Sequence, residues 1–277
     1  MSIVHGFYFA FGLIVGSFLN VCIYRIPRGE SVVLPRSHCP RCSAGIRPYD
    51  NVPLLSYLLL RGRCRSCGEP ISLQYPAVEL VTGLLFYACA AQWAFTPPTF
   101  VNSLFLALLV ALVFVDYQHQ ILPNVVTIPG TIAGILLSPF QAEGAYHDIL
   151  TVATASALRL DGFENLLPWV GSVLGALIGG GILFVVGFAY KLVRKRHGLG
   201  MGDVKMMAMV GAFLGWRSAL LTIFAASLAG SIIGLFLVLF QGKSLQHKLA
   251  FGTFLGIGAA AVLFFGASIL GWYAGPH

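Results

Sequence analysis

Charged residues are scarce in this sequence. Only 10% of its 277 residues are Asp, Glu, Lys or Arg, whereas 57% are hydrophobic. Because soluble domains contain about 25% charged residues, this composition excludes an ordinary soluble globular protein. It predicts an all-α polytopic membrane protein, built as a bundle of transmembrane helices.

The amino-terminal segment lacks the features of a cleavable signal peptide. Residues 1–24 have neither a basic start nor a small-residue cleavage site. A secretory signal peptide normally has both. We therefore interpret residues 1–24 as the first transmembrane helix.

Apolar runs of about 17–25 residues are long enough to cross a bilayer. The sequence contains eight candidates, of which the fourth and sixth are short: residues 6–24, 77–95, 99–115, 124–139, 168–190, 204–216, 218–240 and 251–272. Only Arg217 separates the sixth run from the seventh, so this boundary is the least well defined. The sequence predicts about eight spans.

The basic residues are concentrated in three of the segments between the apolar runs. Fifteen of the 17 Lys and Arg residues lie in residues 25–65, 191–205 and 241–250. Lys and Arg mark the cytoplasmic loops of membrane proteins, so these segments are expected inside and the acidic loop 140–167 outside. The net charge of +7 thus reflects membrane topology, and no nucleic-acid partner is expected.

Two aspartates border apolar runs. Asp116 ends the run 100–115, and Asp203 follows a glycine-rich turn that begins at Gly198 and leads into the run 204–216. The span count places both at the cytoplasmic membrane boundary. Acidic residues beside membrane helices are costly and usually functional. From the residues alone, Asp116 and Asp203 could be a catalytic pair or a proton relay, or each could cap a helix end or pair with a cation.

Four cysteines have the spacing of a metal site. Cys39, Cys42, Cys64 and Cys67 form a C-x2-C-x21-C-x2-C pattern within residues 25–76, which predicts a tetrahedral zinc site. Four free thiols or a redox pair are the alternatives. The segment has few aliphatic residues for a core, so zinc binding can supply its folding energy. Four cysteines leave no position for water, which indicates a structural site.

The chain resembles the type IV prepilin peptidases, which are bifunctional leader peptidases and N-methyltransferases. Besides the cysteine pairs, the matching stretches are GSFLNVCIYR (16–25), DNVPLLSY (50–57), RGRC (61–64), YPAVE (75–79), VD (115–116), LPN (122–124) and GMGDVK (200–205). The chain departs from the family pattern at Asn124, where the family usually has Asp, and at Thr253, where a Phe-Gly-Pro sequence is common.

The resemblance implies a function. Asp116 and Asp203 would be the catalytic pair of a membrane aspartic peptidase in the bacterial inner membrane, with its active site at the cytoplasmic boundary. The substrate would be the apolar helix of a prepilin or pseudopilin, embedded in membrane lipid, whose basic leader is cleaved after a glycine. S-adenosylmethionine would then serve to methylate the new amino terminus.

We expect three parts: a first transmembrane helix (1–24), a cytoplasmic zinc-binding domain that also forms the methyltransferase part (25–76), and a peptidase core (77–277). No glycine-rich loop for S-adenosylmethionine is recognisable in the second part. Glu79 is the candidate methyl-donor residue, although an ion pair with an arginine of the zinc loop explains it equally well. The rival functions are a proton-coupled transporter that uses both aspartates and a membrane-anchored zinc-loop adaptor without chemistry.

Overall fold

The structure is a computed structural model that describes residues 3–141, 146, 148–158, 164–195, 199–241 and 250–274. Within these ranges every regular element is helical, apart from two isolated bridges in the cysteine loop. The all-α prediction is therefore confirmed for the described residues. Gly198, much of loop 140–167 and most of the basic segment 241–250 lie outside them.

The described residues form nine α-helices. In chain order these are α1 (Ile3–Arg25), α2 (Leu55–Leu59), α3 (Gln74–Trp93), α4 (Pro97–His119), α5 (Asn124–Leu137), α6 (Ile149–Ala157), α7 (Leu167–Arg194), α8 (Met201–Gln241) and α9 (Phe251–Ala274). Five of them, α1, α4, α7, α8 and α9, are long and apolar enough to cross a membrane, while α5 is a shorter apolar helix. These helices fit the predicted helical multi-pass membrane protein, whereas the count of about eight spans stays a prediction.

Helix α8 contains a break. Gly215 has φ 77° and ψ 170°, a backbone conformation that glycine adopts without the steric cost of a side chain. The break lies close to Arg217, where the sequence predicted a boundary between two apolar runs. The helix that begins near Asp203 therefore ends after about 14 residues, or about 21 Å at 1.5 Å per residue.

The chain divides into two compact units, Met1–Ala111 and Leu112–His277. In the first unit, α1 packs closely against α3. A β-carbon added at Gly16 of α1 would lie 2.7 Å from the Cα atom of Glu79 in α3, a distance shorter than van der Waals contact. This close approach places Glu79 directly beside α1.

In the second unit, α7 packs against α8 through small residues. A β-carbon added at Gly175 or at Gly211 would overlap the backbone carbonyl of the other glycine. The Ser172 hydroxyl donates a hydrogen bond of 2.7 Å to the Ala212 carbonyl oxygen. Small residues allow membrane helices to pack with their backbones in contact, so α7 fixes the position of the first half of α8.

The described part of loop 140–167 contains α6, a short helix that the sequence analysis did not predict. The Asp148 carboxylate caps it by accepting hydrogen bonds from the Leu150 and Thr151 amides at 3.0 and 3.1 Å. The same carboxylate accepts a 2.8 Å hydrogen bond from the Trp216 indole. Asp148 therefore attaches α6 to α8 just after the break at Gly215.

Candidate active site

Asp116 is buried near the carboxyl end of α4, with 5% of its surface exposed. Its Oδ2 atom accepts two hydrogen bonds from Thr253, one from the backbone amide at 2.7 Å and one from the hydroxyl at 3.0 Å. Thr253 lies in the first turn of α9, where backbone N–H groups have no partner within the helix. The amino end of α9 thus holds the Asp116 carboxylate.

Asp203 lies in the first turn of α8 and is half-buried. Its carboxylate accepts a hydrogen bond from the Gly200 backbone amide. This arrangement places a second carboxylate at a second helix amino terminus, where the helix dipole favours negative charge. The glycine-rich turn predicted to present Asp203 is therefore present, at least from residue 199 onward.

Leu122, in the turn between α4 and α5, lies close to a glycine beside each of the two aspartates. A β-carbon added at Gly252 would lie 2.9 Å both from Asp116 Oδ2 and from Leu122 Cδ1. One added at Gly202 would lie 2.8 Å from Leu122 Cβ. The carboxylates themselves are close enough to repel each other electrostatically. The ends of α4, α8 and α9 therefore bring together the two aspartates that the sequence placed 87 positions apart.

Among the described residues, neither aspartate forms an ion pair. The two ion pairs found there are Arg41–Glu69 and Arg65–Asp50, both in the cysteine loop. Lys205, which follows Asp203 closely in sequence, instead donates a 2.8 Å hydrogen bond from Nζ to Asn124 Oδ1. This geometry disfavours the interpretation of Asp203 as the partner of a cation.

Two neighbouring carboxylates of this kind can perform acid–base chemistry. Because like charges at short range oppose each other, such a pair tends to share one proton. The ionised member can then accept a proton from water while the protonated member donates one. A helical membrane protein with this arrangement has what a membrane aspartic peptidase requires.

The cysteine pairs form two knuckles of the same geometry. In each, the amide four residues after the first cysteine donates to that cysteine's carbonyl oxygen, at 2.9 Å from Ser43 and at 2.9 Å from Gly68. Both donors have positive φ angles, 57° and 72°, which turn the backbone tightly. The two knuckles therefore present their sulfur atoms in equivalent ways.

The four sulfur atoms converge. The Sγ atoms of Cys39, Cys42, Cys64 and Cys67 all lie within 4.8 Å of one another, and none is in a disulfide. Cys39 Sγ and Cys67 Sγ are 3.9 Å apart. Tetrahedral zinc with Zn–S bonds of about 2.3 Å separates its sulfur ligands by about 3.8 Å. The cluster predicted from spacing is present and fits a zinc ion in size and donor type.

Backbone groups already favour one thiolate in this cluster. The amides of Cys67 and Ser66 hydrogen-bond the Cys64 sulfur and lower the pKa of that thiol to about 7. The Glu69 amide acts in the same direction on Cys67, yet desolvation and the neighbouring thiols raise the pKa of Cys67 to about 12. Four crowded sulfurs thus resist full ionisation unless a cation is present, because their negative charges repel one another.

Glu79 is buried in α3, with 8% of its surface exposed. Its carboxylate accepts a 2.9 Å hydrogen bond from the Leu54 amide and another from the Ser17 hydroxyl. In the described part of the chain, Glu79 forms no ion pair with an arginine. Of the two interpretations offered by the sequence, the geometry therefore favours a polar binding group over a salt bridge.

Sequence reasoning missed the residue that positions Asp116. Thr253 was noted only as a departure from the Phe-Gly-Pro pattern. Proline has no backbone N–H group and cannot donate, so Thr253 provides two hydrogen bonds that proline could not. The presence of threonine, which can donate, in place of proline, which cannot, was the feature of the sequence that could have indicated this role. The acceptor, Asp116, could not be identified because it lies 137 residues away in the sequence.

Comparison with known proteins assigns the family. Residues 10–93 match the Bacterial Peptidase A24 N-terminal domain, and residues 103–235 match the Type IV leader peptidase family. The chain belongs to the type IV leader peptidase family, and the resemblance seen in the sequence is confirmed.

Several curated relatives share one name, prepilin leader peptidase/N-methyltransferase. The Aeromonas hydrophila protein is 35% identical over 96% of this chain and 92% of its own length. The Pseudomonas aeruginosa protein is 33% identical over 95% of this chain and 90% of its own length. The Myxococcus xanthus protein is 42% identical over 86% of this chain and 64% of its own length. No solved structure matches the chain.

Proposed function

We propose that this protein cleaves the basic leader from prepilins or pseudopilins and then N-methylates the new amino terminus. The family assignment makes the chain an enzyme, and its relatives carry both activities in their names. The observation that carries the peptidase half is the convergence of Asp116 and Asp203 at neighbouring helix ends. A proton-coupled transporter is disfavoured by the same family assignment.

The proposed topology has eight spans and places the active site at the cytoplasmic face of the bacterial inner membrane. Helix α8 supports two of these spans, because its 41 residues would extend about 60 Å, twice the thickness of about 30 Å of a bilayer core. Its break at Gly215 separates the two halves. With basic segments inside, the carboxyl end of α4 and the amino ends of α8 and α9 all face the cytoplasm.

Cleavage uses the aspartates as acid and base. The ionised carboxylate takes a proton from water, which attacks the peptide carbonyl after the leader's glycine. The protonated carboxylate donates its proton to the carbonyl oxygen. When the C–N bond breaks, the carboxyl group that took the proton from water gives it to the leaving amine, and the gem-diol hydroxyl returns a proton to the other carboxylate as the carbonyl re-forms. The substrate's apolar helix lies in the lipid against the enzyme, so that its leader reaches the cytoplasmic boundary, where both carboxylates are placed.

Zinc stabilises the cytoplasmic part. Cys39, Cys42, Cys64 and Cys67 bind the ion in a closed tetrahedral site, which leaves no open coordination position for catalysis. The sulfur separation of 3.9 Å between Cys39 and Cys67 supports this proposal. The ion's role is to order the loop that joins α1 to α3.

Methylation draws on S-adenosylmethionine, which supplies an electrophilic methyl group when bound. Glu79 is our candidate residue for this half of the reaction, because it is a buried acid at the start of α3 beside the cysteine loop. The peptidase aspartates lie in the other compact unit. The two reactions therefore use different residues of one chain.

The decisive experiment is a processing assay with purified protein in detergent or lipid. A prepilin is added, and the product mass is measured with and without S-adenosylmethionine. We expect a product shortened by its leader, which gains one methyl mass only when the methyl donor is present. Neither a transporter nor an adaptor shortens the substrate, so an intact prepilin after incubation with folded protein would contradict the proposal.

A further inference from the structure

The two aspartates of the active site differ in the hydrogen-bond donors around them. Asp116 Oδ2 accepts from both the backbone N–H group and the hydroxyl of Thr253, at 2.7 and 3.0 Å. The Asp203 carboxylate accepts from a single described donor, the Gly200 backbone amide. Donors stabilise the ionised form of a carboxylate, whereas burial opposes ionisation and affects both residues. The surroundings therefore favour negative charge on Asp116.

The donors of Thr253 are closer to Asp116 than to any other acceptor. The Thr253 N–H group also lies 3.2 Å from the Ala250 carbonyl oxygen, and the hydroxyl lies 3.5 Å from the Val113 carbonyl oxygen. The carboxylate oxygen is the nearer acceptor in both cases, and its 2.7 Å bond has the length of a hydrogen bond to a charged group. Asp116 therefore receives both donors.

A proton on Asp116 would weaken this arrangement. If Oδ2 carried the proton, the Thr253 hydroxyl would have to accept it, and its own hydrogen would be left with the Val113 carbonyl oxygen at 3.5 Å. That separation exceeds the length of about 2.5–3.0 Å of an O–H···O hydrogen bond. A proton on Oδ1 would keep both bonds but weaken them, because bonds to a charged acceptor are about twice as strong.

Asp203 is the member of the pair that keeps a proton. The carboxylates are close enough to repel each other electrostatically, so the charge on Asp116 opposes ionisation of Asp203. No described residue forms an ion pair with Asp203 that could offset this repulsion.

We propose that Asp116 is the general base and Asp203 the general acid, and that Thr253 determines this division. The inference rests on the proposed peptidase function and assigns roles that the function leaves open. Asp116 takes a proton from water, whose oxygen bonds to the carbonyl carbon, while Asp203 gives its proton to the carbonyl oxygen. As the C–N bond breaks, Asp116 gives its proton to the leaving amine, and a gem-diol hydroxyl returns one to Asp203. Each aspartate then regains its starting form.

The test is the pH dependence of kcat/KM for prepilin cleavage, whose acidic and basic limbs report the base and the acid of the free enzyme. Thr253→Val removes the hydroxyl donor to Asp116, whereas Thr253→Ser keeps it. The matched control is Thr222→Val, because the Thr222 hydroxyl is also buried but donates to the Ser218 carbonyl oxygen instead of a carboxylate. Thermal unfolding verifies that each variant is folded.

Other ionisable groups near Asp116 do not depend on Thr253. On the elements around Asp116 they are, besides Asp203, Tyr117 and His119 of α4, which are exposed, and Lys205 of α8, whose ammonium bonds a neutral amide. Helices α5 and α9 contain no Asp, Glu, Lys, Arg or His. Removing the threonine hydroxyl should therefore leave the contribution of these groups to the pH profile unchanged.

We expect the acidic limb of Thr253→Val to lie about one pH unit above that of the wild type, with the basic limb unchanged, because the ionised base has lost a donor. One pH unit corresponds to about 1.4 kcal/mol, close to the contribution of one hydrogen bond to a charged group. Thr253→Ser and Thr222→Val should keep the wild-type profile. If Thr253→Val does not fold, Thr253→Ala, which also lacks the hydroxyl, replaces it.

A shift of the basic limb, or no shift of either limb, would overturn the assignment of roles, as would an equal shift in Thr253→Ser or Thr222→Val. A shifted basic limb would mean that Asp116 carries the shared proton. These results leave the proposed peptidase function intact, because the wild type still shortens its substrate. Absence of cleavage by folded wild-type protein would overturn the peptidase function and the assignment together.

Discussion

Replacing Gly252 by alanine tests whether the position of Asp116 governs cleavage. The added methyl group would lie 2.9 Å from Asp116 Oδ2 and 2.9 Å from Leu122 Cδ1. Unstrained non-bonded contacts of this kind are about 3.5 Å, so the carboxylate or the start of α9 must move by about 0.5 Å. The Thr253 hydrogen bonds to the same oxygen would be strained by this movement.

The expected loss follows from that displacement. Misplacement of a reacting group by about 1 Å can cost about 100-fold in rate, so about 0.5 Å should reduce kcat/KM by about tenfold, equivalent to about 1.4 kcal/mol. Steady-state cleavage of a purified prepilin measures this. Thermal unfolding of the same preparation shows whether the fold is retained.

The matched control is Gly271→Ala in the same helix. A β-carbon added at Gly271 has no neighbour within 4 Å, so this variant should cleave at the wild-type rate. If Gly252→Ala retains full activity and stability, the described proximity of Gly252 and Asp116 does not constrain catalysis, and the reasoning is refuted.

Three further predictions concern packing, zinc and Thr253. Gly211→Ala should lower the free energy of unfolding by about 1–3 kcal/mol or more, because the added methyl group would overlap the Gly175 carbonyl. The control Gly181→Ala has no neighbour within 4 Å of the added methyl group and should unfold at the wild-type temperature or above it. Equal unfolding temperatures of the two variants would contradict the close packing of α7 against α8. Cys64→Ser should contain less zinc than the wild type, which should hold about one ion per chain by metal analysis, and calorimetry should show a lower unfolding temperature. If wild-type protein prepared without chelators contains no zinc, the zinc site is ruled out. Thr253→Val should cleave several-fold more slowly than Thr253→Ser, since only serine keeps the hydroxyl donor; equal rates would show that this hydroxyl is dispensable.

The sequence predicted those features that depend on local patterns or on the parity of spans. The cysteine cluster follows from two short repeats, so its spacing indicates its geometry. Asp116 and Asp203 were expected together because the predicted number of spans between them is even, and in the structure the ends of α4, α8 and α9 bring the two residues together. The broken helix α8 was also anticipated, although the backbone turns at Gly215, where a positive φ costs little, and not at Arg217.

Features that depend on distant partners could not be predicted in the same way. Thr253 contacts Asp116 across 137 residues, and no local pattern encodes that contact. The side chain of Asn20 donates a hydrogen bond from Nδ2 to the Tyr75 carbonyl oxygen, 55 residues away, and its buried Oδ1 has no partner among the described residues. Helix α6 depends on the Asp148 cap and its contact with Trp216, which lies 68 residues away, so its segment appeared only as a long loop.

The central claim is that Asp116 and Asp203 act as one catalytic unit, and a double-mutant cycle tests it most directly. Prepilin cleavage is measured for the wild type, Asp116→Asn, Asp203→Asn and the double variant, each verified as folded by thermal unfolding. Because neither carboxylate can serve both proton roles, each single variant should lose at least about 100–10,000-fold in rate, and the double variant should lose little more than either single one. Near-wild-type cleavage by either single variant, or losses that simply multiply in the double variant, would contradict the account.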